Sequence, residues 1–398
     1  MFGPYSRILR APHVRSRLGA VFLSSMPLGM LSLAIVLCAH EWTGELRAAG
    51  LLSGLFGLGN AVGLTLQGWL VDRRSARTVI LMTGSTCSSA LLGFVAAGVF
   101  GAPLWVVAAA GGVAGLSVPA ITAAVRSWLP GVFADDGVRG TSYALLSALF
   151  RGAVTLGPLL VSAAMVLGGP EIAVVLAALL IMAATCLFSF AGPRTAAQKP
   201  AASAPGEDSG TFLTPGLLTL LVSAGFIGFA VGVIAVAVPG VMTSAGASVL
   251  AGLAFAALAL GELLAALGFG ARNWPGQRRT QLLVAQPLVA CMAVLVFLAG
   301  PHPWFLVLVM FAAGVVRAPV SILQSSLLDD VTPKTHLGRS YSALVAVTLV
   351  SHAAGSAAAG VLADRAGAHQ ALLAPVITLL LASLWIAMRY PTLKTSSR

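Results

Sequence analysis

From Leu18 to Ala39 the chain carries no charged side chain, and the same holds from Thr78 to Val125 and from Ser209 to Gly261. About 20 apolar residues span a bilayer as a helix. A backbone in lipid must satisfy its own hydrogen bonds, which leaves helices or closed barrels. These runs are continuously apolar rather than alternating, so they read as helices. Composition points the same way: 58% of the 398 residues are hydrophobic and only 9% charged, against about 25% charged in soluble domains. A soluble enzyme, a secreted disulfide scaffold and a disordered chain are excluded. The four cysteines, Cys38, Cys87, Cys186 and Cys291, all fall inside the apolar runs without a CxxC pair. They read as small buried hydrophobes.

Glycine and proline divide the longest runs, at Gly101-Ala-Pro103 and around Pro239 to Gly246. Twelve spans result, near 18–39, 47–70, 77–99, 104–128, 140–167, 171–191, 215–240, 248–270, 280–299, 303–327, 340–362 and 369–389. The first follows Arg7, Arg10, Arg15 and Arg17 and has no A-x-A site after a short apolar region. It reads as a retained helix rather than a cleaved leader.

Charge tests this division. With the N-terminus in the cytoplasm, nineteen of the 23 Lys and Arg fall in cytoplasmic segments. Only Arg47 and Arg365 fall outside, while Arg151 and Arg317 lie within spans. The asymmetry is that of the positive-inside rule, and one missed helix would destroy it. Both termini are then cytoplasmic. The net charge of +11 reflects membrane topology and not a nucleic-acid surface.

Residues 193–214 are rich in Pro, Ala, Ser and Gly and carry both signs of charge. They read as a cytoplasmic linker between a six-helix half over 1–192 and another over 215–398. The halves echo one another. Gly54 and Gly63 match Gly252 and Gly261 at one common offset, Pro119 matches Pro319, and Gly157-Pro158 matches Gly355-Ser356. Asp135-Asp136 and Asp329-Asp330 follow the two prolines. Parallel six-helix repeats are an arrangement found in secondary transporters.

Between helices 2 and 3 stands Gly68-Trp-Leu-Val-Asp72-Arg73-Arg74-Ser-Ala-Arg77. It resembles the G-x-x-x-D-[RK]-x-G-[RK] loop of the major facilitator superfamily, with Ser75 or Ala76 where the family has glycine. A related segment, Gly360-Val-Leu-Ala-Asp364-Arg365-Ala-Gly367, follows helix 11 on the outer side. The resemblance covers nearly the whole chain. It implies an all-α integral membrane fold of two pseudo-symmetric six-helix bundles, with transport by alternating access. It also implies that Gly68, Asp72, Arg73, Arg74 and Arg77 form a conformational latch. On physical grounds Gly68 would allow close helix approach. Ala153-x-x-x-Gly157-Pro158 in helix 5 partly resembles the family's antiporter signature, and Pro158 would bend the helix there as a hinge.

Arg151, Glu262 and Arg317 lie inside helices 5, 8 and 10. A charge at mid-bilayer costs on the order of 3 kcal/mol, so such residues face a partner or a wet cavity. Glu262 is the only acid inside a span. It is the first candidate for proton coupling. The alternative is a fixed ion pair with Arg151. Arg151 and Arg317 would attract an anionic substrate group or pair between helices. His352 in helix 11 is a second candidate for coupling, its ordinary pKa being physiological, or else a packed imidazole. Asn60, Gln67 and Gln324 line the substrate cavity or hydrogen-bond between helices.

No HExxH, Walker A, GxSxG or clustered metal ligands occur, so neither an enzyme nor a metal or cofactor site is expected. The expected partners are a small-molecule substrate, protons and membrane lipids, with a monomer sufficient for function. The spare polarity of the cavity helices suits an amphiphile. The resulting expectation is a proton-coupled antiporter of the bacterial inner membrane. It would export a drug-like or secondary metabolite, an activity of the kind that confers antibiotic resistance. The alternative is proton-coupled import of an organic anion.

Overall fold

The computed structural model describes residues 13–133, 136–190, 214–270, 272, 274–333 and 336–393. Of the linker expected over 193–214, only Thr214 is among them. Arg7, Arg10, Arg194, Lys199, Lys334, Lys394 and Arg398 lie outside the described residues, as does Asp135.

Among the described residues, 12 helices are long and apolar enough to cross a membrane. They are α1 (Val14–Thr43), α2 (Leu46–Arg73), α3 (Ala76–Val99), α4 (Leu104–Trp128), α5 (Asp136–Leu167) and α6 (Pro170–Phe190). The second set is α7 (Pro215–Ser244), α8 (Val249–Gly270), α9 (Arg278–Ala299), α10 (Pro303–Val331), α11 (Leu337–Ala366) and α12 (Ala368–Met388). Every expected span is a helix, and several extend beyond the apolar run into their polar ends.

Local chemistry sets many of the ends. Ser75 caps α3, its hydroxyl accepting from the Thr78 amide at 3.2 Å. Thr214 caps α7 in the same way at 3.1 Å, with Pro215 in the first turn. This use of a serine and a threonine satisfies amides that the helix leaves unpaired. The turns after α1 and α7 each hold a glycine in the left-handed region, Gly44 at φ 71° and Gly246 at φ 68°. Glycine carries no steric penalty there.

Two spans are interrupted. The α4 helix breaks between Leu116 and Ile121, because Pro119 lacks an amide and disfavours helical geometry at Val118. The α12 helix breaks at Leu372. Pro319, at the equivalent place in α10, sits inside an unbroken helix.

The chain divides into two compact units. The first comprises Met1–Cys38 and Leu58–Ala202, the second Ala39–Gly57 and Ser203–Arg398. The first half of α2 therefore packs with the second unit.

Within lipid, helix packing rests on close contact between small residues rather than on hydrophobic exclusion. In the first unit α1 and α5 cross at Gly29 and Gly157, where a Cβ on Gly157 would lie 2.8 Å from the Gly29 Cα. The α2–α4 crossing uses Gly59, whose Cβ would lie 2.6 Å from the Gly112 carbonyl, and Gly63 against Leu116. In the second unit Gly232 and Gly355 bring α7 against α11, and Gly261 and Gly314 bring α8 against α10. Large apolar side chains such as Leu66, Leu167, Leu267 and Trp304 are left exposed, the surface that a lipid solvent accepts. Cys38 and Cys87 are buried as expected, but Cys186 and Cys291 are exposed on their helices. An apolar thiol needs no burial when its surroundings are acyl chains.

Candidate functional site

The α8–α10 crossing positions the membrane charges. Gly261 meets the Phe311 backbone, and Gly314 meets the backbone at Leu258 and Glu262. With the two backbones this close, Glu262 and Arg317 face one another. One carboxylate oxygen, Oε1, accepts from the Arg317 Nε at 2.6 Å and also from Nη2. The side chains are 20% and 32% exposed. A charge-assisted contact through two guanidinium nitrogens is among the stronger polar interactions available to a protein.

Glu262, for which a fixed ion pair with Arg151 was the alternative to proton coupling, thus pairs with Arg317. Arg151 lies on α5 in the first unit with an exposed side chain, and Glu262 takes Arg317, which its own unit holds within reach. Arg317 also borders a cavity of about 50 Å³ whose other walls, including Ile227, Phe255, Met292 and Met310, are apolar. His352 is half-buried on α11, within electrostatic reach of Arg317. Its ring also adjoins Gly57 of α2, where a Cβ would lie 3.9 Å from the imidazole Cδ2. The second unit thus gathers an acid, an arginine and a histidine from three helices.

The amides do other work. Gln67 is 2% exposed. Its Nε2 donates to the Val118 carbonyl at 2.8 Å and its Oε1 accepts from the Ala120 amide at 3.0 Å. Both ends bridge the break in α4, so the polar backbone freed by Pro119 is satisfied by a side chain from α2. Gln324 donates to the Ser223 hydroxyl at 3.1 Å and ties α10 to α7. Asn60 is half-buried on α2.

In the loop after α2, a Cβ at Gly68 would meet nothing within 4 Å among the described residues. Arg73 lies over the Trp69 ring at 3.9 Å, Arg74 reaches the Met82 sulfur at 3.8 Å, and Arg77 lies over Phe190 at 5.4 Å. Ser75, where the family pattern has glycine, is the cap of α3. The Asp72 side chain lies outside the described residues. In α5, Gly157 is a contact residue against α1, and Pro158 follows it inside a helix that runs on to Leu167.

The second Gly-x-x-x-Asp-Arg segment is engaged. Asp364 Oδ1 accepts from the backbone amides of Leu46 at 3.1 Å and Arg47 at 3.2 Å, at the start of α2. Arg365 is exposed beside it. Two polar ties at the opposite ends of the helices were not foreseen. Arg278 pairs with Asp330 at 3.1 Å, and the Tyr341 hydroxyl donates to Asp329 at 2.9 Å. The paired acids after Pro319 were legible as a repeat, but their partners are brought near only by the fold.

A profile of the Major Facilitator Superfamily matches residues 18–356 and again 220–398. Over 139 residues the chain is 31% identical to the multidrug efflux pump Tap of Mycolicibacterium fortuitum. That alignment spans 35% of this chain and 33% of the relative, so about a third of each. Among solved structures, the nucleoside transporter NupG superposes with a TM-score of 0.72 at 12% identity, over 95% of this chain and 98% of that one. A bacterial homologue of the iron transporter ferroportin gives 0.75 at 13%, over 94% and 98%. The human organic anion transporter MFSD10 gives 0.65 at 17%, over 94% and 98%. These likenesses establish the fold of two helix bundles. With the profile matching nearly from end to end, the chain belongs to the Major Facilitator Superfamily, with the multi-pass helical fold of that family.

Proposed function

We propose that the chain is a proton-coupled exporter of an amphiphilic drug-like or secondary metabolite in a bacterial inner membrane, with both termini cytoplasmic. The observation that carries this reading is the Glu262–Arg317 pair in the membrane, with His352 beside it. Held together, the two charges are neutral and tolerable in lipid. A proton on Glu262 ends the ion pair and leaves the guanidinium without its counter-charge. An unpaired charge of this kind is strongly disfavoured, so a conformation that gives Arg317 a new partner or more water is favoured instead. Proton uptake is thereby converted into movement. The partial likeness to a multidrug efflux pump supports the direction. The sparse polarity around Arg317 supports an amphiphile. The 1–192 and 215–398 halves, joined by 193–214, are the moving bodies in this reading, and one chain suffices.

Accumulation assays test it. Wild type and Glu262→Gln are expressed in an efflux-deficient bacterium with labelled amphiphiles and organic anions, with and without an uncoupler. Lowered accumulation that both the uncoupler and the substitution abolish is the expected result. Accumulation raised by the proton gradient favours import of an organic anion, with Arg151, whose side chain is exposed, as a contact.

A further inference from the structure

We propose that Asp364 is an outer gating residue: it holds the transporter closed on the outer side by capping α2 from α11. The helix begins after Glu45, which is not one of the residue types that cap well. Its first amides, those of Leu46 and Arg47, are satisfied by Asp364 instead, at 3.1 and 3.2 Å. A cap supplied by another helix does what a local cap cannot, because it makes the helix end depend on the packing of two separate spans.

The surrounding contact is built for this closeness. A Cβ on Gly360 would lie 2.6 Å from the Leu46 carbonyl and 2.9 Å from the Arg47 Cα. Gly50 meets Gly360 in return, its Cβ position 2.9 Å from the Gly360 nitrogen, and a Cβ on Gly54 would lie 2.9 Å from the Ala353 carbonyl. Leu46 and Ala368 both pack at Gly240. This contact explains why residues 39–57 associate with the second unit although α2 continues into the first.

The device is switchable because both states of each group are tolerable. The α2 amides and the Asp364 carboxylate are at the exposed end of the bundle, where water replaces either partner. Parting them costs one cap, not a buried charge. Alternating access requires this end to open, and the glycine contact with its aspartate cap is what must part. The assignment of this end to the outside rests on the topology proposed above. The gate does not depend on the substrate or on the direction of transport.

Labelling tests the gate without any substrate. In a chain with the four native cysteines replaced, Ser53→Cys on α2, where the serine is 2% exposed, reports outer opening to a membrane-impermeant maleimide. Ala346→Cys, on an exposed part of α11, reports the inner side. Asp364→Ala is expected to raise Ser53→Cys labelling from outside about fivefold, the scale of a lost cap, and to lower Ala346→Cys labelling from inside. Asp364→Asn keeps an oxygen acceptor and should label like wild type. Equal labelling of Ala and wild type overturns the gate. Asn behaving like Ala overturns the cap as its cause. A rise at both reporters means loosening of the fold and also overturns it. Ser53→Cys labelling that is confined to inverted vesicles shows instead that the topology is reversed.

Discussion

The two units share a scaffold of glycine crossings but build different chemistry on it. Gly29 with Gly157 in the first unit corresponds to Gly232 with Gly355 in the second, and Gly63 corresponds to Gly261. At the α2–α4 crossing the first unit places Gln67, a neutral amide spent on the broken backbone at Pro119. At the α8–α10 crossing the second unit places Glu262 and Arg317, an ion pair beside an unbroken helix. Leu64 occupies the place of Glu262 in the first half. The scaffold therefore requires no charge at this crossing. The two Gly-x-x-x-Asp-Arg segments differ likewise. Gly360 is pressed against α2, whereas Gly68 faces open space.

The sharpest way to break this comparison is to leave Arg317 alone. Glu262→Ala should destabilise the protein by about 2–3 kcal/mol, allowing for the pair's partial exposure. Adding Arg317→Leu should recover most of the loss in thermal unfolding of the purified protein. Additive losses would mean that the pair is not a coupled unit. Next is Gln67→Leu, which strands the Val118 carbonyl and the Ala120 amide in a buried site and should cost about 2 kcal/mol. A loss near zero would show that the amide staple is dispensable and that the units differ less than claimed. Gly360→Ala should then cost about 1–2 kcal/mol through the enforced shift of α2, read in the same melts. Gly68→Ala is the smallest and has the opposite sign: with no contact to disturb, it should stabilise its helix by about 0.5 kcal/mol. A destabilising Gly68→Ala would show that the two motifs are engaged alike.

Much of this was legible beforehand. Twelve spans follow from run length and charge because a bilayer imposes one element length and one polarity on every crossing. The repeat was visible in Gly54, Gly63, Pro119 and Gly157 and in their second-half counterparts. Roles were less legible. Glu262 stood out as the lone acid in a span, but the ion-pair partner read from the sequence was Arg151 and not Arg317. Gln67 read equally as a cavity residue or an interhelical hydrogen-bonding group, since Pro119 signals a break in α4 but not which side chain meets it. Gly68 carried the family pattern, yet a Cβ there would meet nothing within 4 Å among the described residues, while one at Gly360, in the weaker copy of that pattern, would meet Leu46 and Arg47.

What the sequence by itself determined is the membrane class and the number of membrane-length helices among the described residues. These depend on transfer of each segment into lipid, a property that each run carries alone. Only the tertiary structure decided that Glu262 meets Arg317, that Gln67 mends α4 and that Asp364 caps α2. Each of these joins groups far apart in the chain. In lipid, which partner is reached depends on which glycines allow two backbones to touch, and that is settled by packing.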